Sequence, residues 1–132
     1  MQDKPTYQNV TRDIYDYLRE RRDQLIAVGI EAERICLDPG IGFGKTHEHN
    51  FQLLRDCHQF LDLGQPILIG HSRKGFIGKA IGDKQRDRDF GTLAVSLAMA
   101  MQGMHVLRVH NVCATVDGLK LWSATADQLK TN

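Results

Sequence analysis

Four residues of this 132-residue chain bring charge or proton-transfer groups to places where a ligand would meet them: Asp38, Lys74, Arg108 and His110. Asp38 follows the apolar run Ile35-Cys36-Leu37, the Ser72-Arg73-Lys74 run follows Ile67-Leu68-Ile69-Gly70, and Arg108 and His110 lie within and at the end of a third apolar stretch from His105. Ligands of parallel α/β sheets and barrels bind at the carboxyl ends of the strands, so three strands ending in one carboxylate and several cations point to a site. Asp38 in an Asp-Pro-Gly turn is either a turn-former or an ionised acceptor of two parallel N–H bonds from a flat amino-pyrimidine edge. Ser72-Arg73-Lys74-Gly75 lies where a strand turns into a helix, and it is either a solvated basic turn or an anion-receptive one. Arg108 and His110, two apart, share one face of their strand while Leu107 and Val109 take the other. That pair is either half of a structural ion pair or an oxyanion clamp, since guanidinium and imidazole both suit phosphate oxygens. Phe43, between two glycines, suits an aromatic lid or packs back on the rim. Gly44-Lys45-Thr46 is no nucleotide-binding loop, because Pro39 stands where its first glycine belongs.

The elements that must position these residues alternate. Apolar residues at spacings of three, four and seven predict an amphipathic helix over about 7–28, stopped by Gly29. The run 35–37 predicts a short strand, followed by the loop Asp-Pro-Gly-Ile-Gly-Phe-Gly-Lys-Thr. A second helix is predicted over 50–63, with Phe51, Leu54, Cys57, His58 and Leu61 on one side and Gly64 as its stop. A strand at 67–70 leads to a short helix at 75–81. A third long helix over 89–102 has Ala94, Val95, Leu97, Ala98, Ala100 and Met101 as its packing residues. A strand over 105–110 and a last helix over 113–129 complete the chain. The fold class is α/β: three parallel strands and four main helices in a single unit over 1–132. Three strands cannot close a barrel, which takes about eight. The pattern therefore fits a small open three-layer domain or a slice of a (β/α)8 barrel.

With 17 basic and 16 acidic side chains the chain is nearly neutral, which removes the electrostatic argument for nucleic acid or an anionic membrane as partner. No apolar run approaches the roughly 18 residues of a membrane span, and the first residues lack a secretory pattern. Cys36, Cys57 and Cys113 are odd in number and far apart, and are expected to be reduced, partly buried thiols in a cytoplasmic protein rather than a zinc site. Asn9-Val10-Thr11 matches a glycosylation sequon by chance.

Three segments, Leu37-Asp38-Pro39-Gly40-Ile41-Gly42-Phe43-Gly44-Lys45-Thr46, Gly70-His71-Ser72-Arg73-Lys74-Gly75-Phe76-Ile77-Gly78 and Arg108-Val109-His110-Asn111-Val112, resemble the last three strand-end motifs of dihydropteroate synthases. The order and separations also fit, from Tyr7 to about Thr125. The resemblance implies the C-terminal portion of a TIM (β/α)8 barrel. It also implies a transferase of folate biosynthesis, which condenses 7,8-dihydropterin-6-ylmethyl diphosphate with 4-aminobenzoate to give 7,8-dihydropteroate and diphosphate. Mg2+ is expected to assist the leaving group in the whole enzyme, with its ligand outside this chain. By motif position, Asp38 would hold the pterin's amino-pyrimidine edge, and Lys74 would contact the pterin and organise the aminobenzoate site. Arg108 would flank the pterin and, with His110 and the Ser72 turn, hold the diphosphate. Gly42 and Phe43 would border the aminobenzoate entrance, and Arg73 would lie near its carboxylate.

Two positions depart from the family's pattern: Gly75 stands where serine is frequent, and Asn111 where aspartate is usual, a change neutral for helix capping. The family's first strands, with the metal-binding asparagine loop and the rest of the pterin pocket, have no counterpart here, so little activity is expected of this chain alone. A pterin-binding methyltransferase domain is the nearest rival, although methyl transfer involves no diphosphate. A non-catalytic fragment whose strand-end charges pair with one another is the other. An open sheet with two unpaired edges, and an inner face built from residues such as Ile67, Ile69 and Val106, predicts a homodimer or larger assembly.

Overall fold

The computed structural model describes residues 6–130, and side chains through residue 126. Helix α1 spans Val10–Ala27, α2 His47–Asp56, α3 Gly75–Ile81, α4 Asp89–Met101 and α5 Val112–Lys130. Strand β1 is Leu68–Ile69 and β2 is Val106–Leu107, and short 3-10 helices cover Ala32–Arg34 and Cys57–Leu63. The strands pair in parallel, Leu68 opposite Val106 and Ile69 opposite Leu107.

The predicted first strand shrinks to one bridge. Leu37 lies parallel to Ile67, donating its N–H to Pro66 O at 2.9 Å and accepting from the Leu68 N–H at 2.8 Å. The three predicted parallel strands are therefore two strands and a bridged segment. Leu37 has a ladder partner on one side only among the described residues, too little pairing for a full strand.

Helix α1 starts later than periodicity predicts. Asn9 is extended and its side chain accepts the Arg12 N–H at 3.1 Å, a cap that ends the helix at Val10. Helix α2 starts earlier, at His47, through a capping box. Thr46 Oγ1 accepts the His49 N–H at 3.1 Å and His49 Nδ1 accepts the Thr46 N–H at 3.3 Å. Past Asp56 the helix tightens to three residues per turn, so Cys57, Phe60 and Leu63 point inward. His58 and Leu61, predicted on the buried side from α-helical spacing, are exposed for that reason. On α4 the buried residues are Thr92, Ser96 and Met99, while Ala94, Ala98 and Met101 of the predicted packing set are exposed.

Ile35, Leu37, Ile67 and Ile69 are buried with Leu53, Phe60, Phe76 and Met99 in one core. On the opposite face Cys36, Asp38, Val106, Arg108 and His110 are exposed and Leu68 is half-buried. Helices thus cover one face of the sheet and leave the other open. This corrects the predicted open face: Ile67 and Ile69 are 0% exposed and belong to the core, while Val106 at 42% lies on the open side with Cys36. Cys36 and Cys113 are exposed and only Cys57 is buried, so the expectation of three partly buried thiols fails for two of them.

Candidate functional site

The polar residues at the strand ends converge. Arg108 leaves β2 on the open face, its N–H donating to Ile69 O at 3.0 Å, and its guanidinium lies across Gly70 at the end of β1. A Cβ built on Gly70 would stand 2.3 Å from Arg108 Nη2, so only glycine lets the guanidinium settle there. Arg108 Nη1 is 3.9 Å from Asp38 Oδ2. Both side chains keep solvent access, so the pair is a loose one that an anion or a donor edge can enter. Asp38 Oδ1 accepts the Gly40 N–H at 2.8 Å, which fixes the carboxylate over its own turn.

His110 is tied to the neighbouring strand end. Its Nδ1 lies 2.7 Å from Ser72 Oγ, and its backbone N–H donates to the same oxygen at 3.1 Å. Gly70, Ser72, Lys74, Arg108, Val109 and His110 line a 270 Å3 cleft whose lining contains no carboxylate. Asp38 stands at its rim through Arg108.

Lys74 sits between this cleft and a second one. Its Nζ donates to Ile41 O and lies 4.3 Å from the centre of the Phe43 ring. Burial pushes its pKa down, and Arg108 adds to the effect while Asp38 opposes it. Lys45, whose Nζ bonds Gly40 O at 2.7 Å and Phe43 O at 2.9 Å, is lowered in the same way, first by burial. Two lysines held below their ordinary range beside an arginine leave positive charge that a bound anion would relieve. The second cleft, 370 Å3, is lined by Gly42, Phe43, Lys45, His47, Asn50, Lys74, Gly75 and Phe76. Gly42, at φ +89, is where Lys74 crosses the loop, since a Cβ there would meet Lys74 Cδ at 2.8 Å.

Asp38, Ser72, Lys74, Arg108 and His110 are therefore brought to one place, with Gly42 and Phe43 beside Lys74. Arg73 lines neither cleft. Its guanidinium forms a two-pronged bond to Asp89, Nε to Oδ1 at 2.8 Å and Nη2 to Oδ2 at 3.1 Å. Sequence reasoning gave no task to Asn50, Asp89 or His71. Buried Asn50 holds the loop by accepting the Gly42 N–H at 2.8 Å. His71 is fully buried and bonds through Nε2 to Ser96 Oγ at 2.8 Å. Ser96 Oγ donates to Thr92 O, so it accepts from His71 Nε2, which carries a proton, while the buried Nδ1 has no partner among the described residues to hold a second one. Burial lowers its pKa accordingly. No spacing rule marks these three, because their partners lie on other elements.

No cluster of three His, Cys, Asp or Glu side chains able to hold a metal occurs among the described residues. A lone carboxylate flanked by arginine and lysine is a poor donor set for Mg2+, so no step is assigned to a metal held by these residues.

Residues 1–110 match the pterin binding enzyme family. The chain belongs to that family. It is 41% identical over 127 residues to a dihydropteroate synthase of Haemophilus influenzae, which covers 96% of this chain and 46% of the relative. Two solved structures from Xanthomonas albilineans are similar at 40% identity. The dihydropteroate synthase in complex with 7,8-dihydropteroate has a TM-score of 0.87, covering 92% of this chain and 47% of that one. The form with 4-aminobenzoic acid has a TM-score of 0.88, covering 93% and 45%. The chain thus spans about half the length of the relatives it matches. No described helix is long and apolar enough to cross a membrane.

Proposed function

We propose that this chain is a single partial domain, the C-terminal portion of a TIM barrel, supplying the diphosphate side of a dihydropteroate synthase site. The observation that carries this is the 270 Å3 cleft, which presents Lys74, Arg108 and His110 and is rimmed by one carboxylate. A pterin with a diphosphate arm needs that polarity: one acceptor for the amino-pyrimidine edge and donors for the phosphate oxygens. In this reading Asp38 accepts from the pterin ring, and Arg108 flanks it. Arg108, His110 and the Ser72 turn receive the diphosphate. 4-Aminobenzoate enters the second cleft between Phe43 and Phe76, with Gly42 at the entrance and lysines for its carboxylate. Lys74, common to both clefts, stands where the two substrates meet.

In the reaction the methylene C–O bond breaks and its electron pair leaves with diphosphate. The amine of the second substrate then forms the C–N bond and gives up a proton. The chain's residues contribute position and fixed positive charge to this, and Lys74, Arg108 and His110 are the catalytic set. Mg2+ would supply charge neutralisation for the leaving diphosphate in the whole enzyme, and the described residues offer no donor set for it. The protein is cytoplasmic, with no nucleic acid or membrane partner, and works as a homodimer. Exposed Phe90, Met101 and Leu121 on α4 and α5 are apolar surface that a second copy would cover.

The test joins this chain to the N-terminal half of the Haemophilus influenzae relative and measures dihydropteroate formation from both substrates with Mg2+. Product that vanishes in Arg108→Ala supports the reading. A folded chimera that binds both substrates and forms no product contradicts it.

A further inference from the structure

Arg73 has an unusual backbone, with φ +58 in a side-chain-bearing residue, a conformation adopted at a cost. The N-terminal end of α4 holds both its backbone and its guanidinium. Its N–H donates to Thr92 Oγ1 at 3.0 Å, its carbonyl accepts from Arg88 Nη1 at 2.9 Å, and its guanidinium takes both Asp89 oxygens. Asp89 is only 19% exposed, and its carboxyl is held below the usual range, chiefly by the bonds from Arg73.

Asp89 has a second customer on the other loop. Asn111 Nδ2 donates to Asp89 Oδ2 at 3.4 Å, while Asn111 Oδ1 accepts the Ala114 N–H at 3.0 Å at the start of α5. The amide's two ends thus do different jobs, one capping the helix and the other meeting a carboxylate. An aspartate at 111 would cap equally well but set a second negative charge against Asp89. Ser72 precedes Arg73 and His110 precedes Asn111, so this clip lies one residue from the contact between Ser72 Oγ and His110.

We propose that Asp89 is a positioning residue that clips the β1–α3 turn to the β2–α5 turn through Arg73 and Asn111, and thereby sets the Ser72–His110 edge of the anion cleft. This rests on the cleft's being a diphosphate site, as proposed above. It also gives Arg73 a task that needs no ligand contact, in keeping with its absence from both clefts.

The test is a double-mutant cycle on the 132-residue chain, with inorganic diphosphate titrated calorimetrically and the Arg73 Nε–H resonance followed by NMR. Asp89→Asn and Asn111→Asp should each weaken diphosphate binding about fivefold, with the helix content by circular dichroism unchanged. The double variant should be no worse than either single one, because both break the same clip. Asn111→Ser, which caps α5 without reaching Asp89, should show a smaller loss in the same direction. Unchanged affinity and an unchanged Arg73 resonance in Asn111→Asp would mean that Asn111 is a helix cap alone. Multiplying losses in the double variant would mean that the two residues act separately, and either result overturns the proposal. If the unaltered chain binds no diphosphate, the functional reading fails. The clip then stands or falls on whether the Arg73 resonance broadens in both single variants.

Discussion

Replacing Gly70 by alanine separates the anion cleft from the fold that carries it. Gly70 is buried at the end of β1, and its φ lies outside the left-handed region, so alanine suits its backbone. The added methyl would meet Arg108 Nη2 at 2.3 Å and Cζ at 2.9 Å, whereas ordinary contact begins at 3.4 Å. The guanidinium must therefore withdraw by about 1 Å, and at 59% exposure it has room to do so. The loose pair with Asp38 contributes little, so stability should change by no more than about 1 kcal/mol. A charge-assisted hydrogen bond to an anion is worth about 1.5–3 kcal/mol, and losing much of one corresponds to roughly tenfold in Kd. Calorimetric titration with inorganic diphosphate at low, fixed ionic strength measures the first effect, and urea unfolding the second. The double variant Gly70→Ala/Arg108→Ala should bind no more weakly than Arg108→Ala. Undiminished affinity in Gly70→Ala would refute the placement of Arg108 over the anion. A loss of several kcal/mol of stability would refute the claim that the site and the fold are separable here.

Two further outcomes follow from burial. His71 is held neutral, its pKa below the usual 6.5, so the unfolded chain takes up a proton at pH values where the native chain does not. Its stabilisation is therefore complete above about pH 6.5 and falls as pH drops below it. Urea midpoints at pH 5 and pH 7.5 should differ, and His71→Gln should flatten the difference, with His47 leaving a residual slope of the same sign. An unchanged slope in that variant would contradict the neutral, buried assignment. Cys57, fully buried with its pKa pushed up to about 12, should resist iodoacetamide in the native chain while exposed Cys36 and Cys113 react. Mass spectrometry of the labelled peptides checks this, and native labelling of Cys57 would show that the core opens more readily than its packing implies.

The strand-end placement of Asp38, Lys74, Arg108 and His110 was legible because alternation along a strand is local information. The exposure of Val106, Arg108 and His110 against half-buried Leu107 and Val109 follows it residue by residue. The bounds of α3 and the stop at Gly64 were legible for a similar reason, since a left-handed glycine ends a helix wherever it stands. The start of α2 was hidden because its capping box uses His49 in place of the usual glutamate or glutamine. Leu61 was misplaced because the switch to three residues per turn at Cys57 leaves no mark in the apolar spacing. The task of Asp89 was out of reach, because its partners Arg73 and Asn111 lie 16 and 22 residues away on other elements.

These strand ends are proposed to recognise a pterin through Asp38 and its diphosphate through Arg108 and His110. The most direct measurement is titration of the 132-residue chain with 7,8-dihydropterin-6-ylmethyl diphosphate and with the same pterin lacking the diphosphate. Tighter binding of the diphosphate form is expected, with competition by inorganic diphosphate and losses in both Asp38→Asn and Arg108→Ala. Equal affinity for the two pterins, unaffected by Arg108→Ala, would contradict it and favour a pterin-binding domain with no diphosphate chemistry.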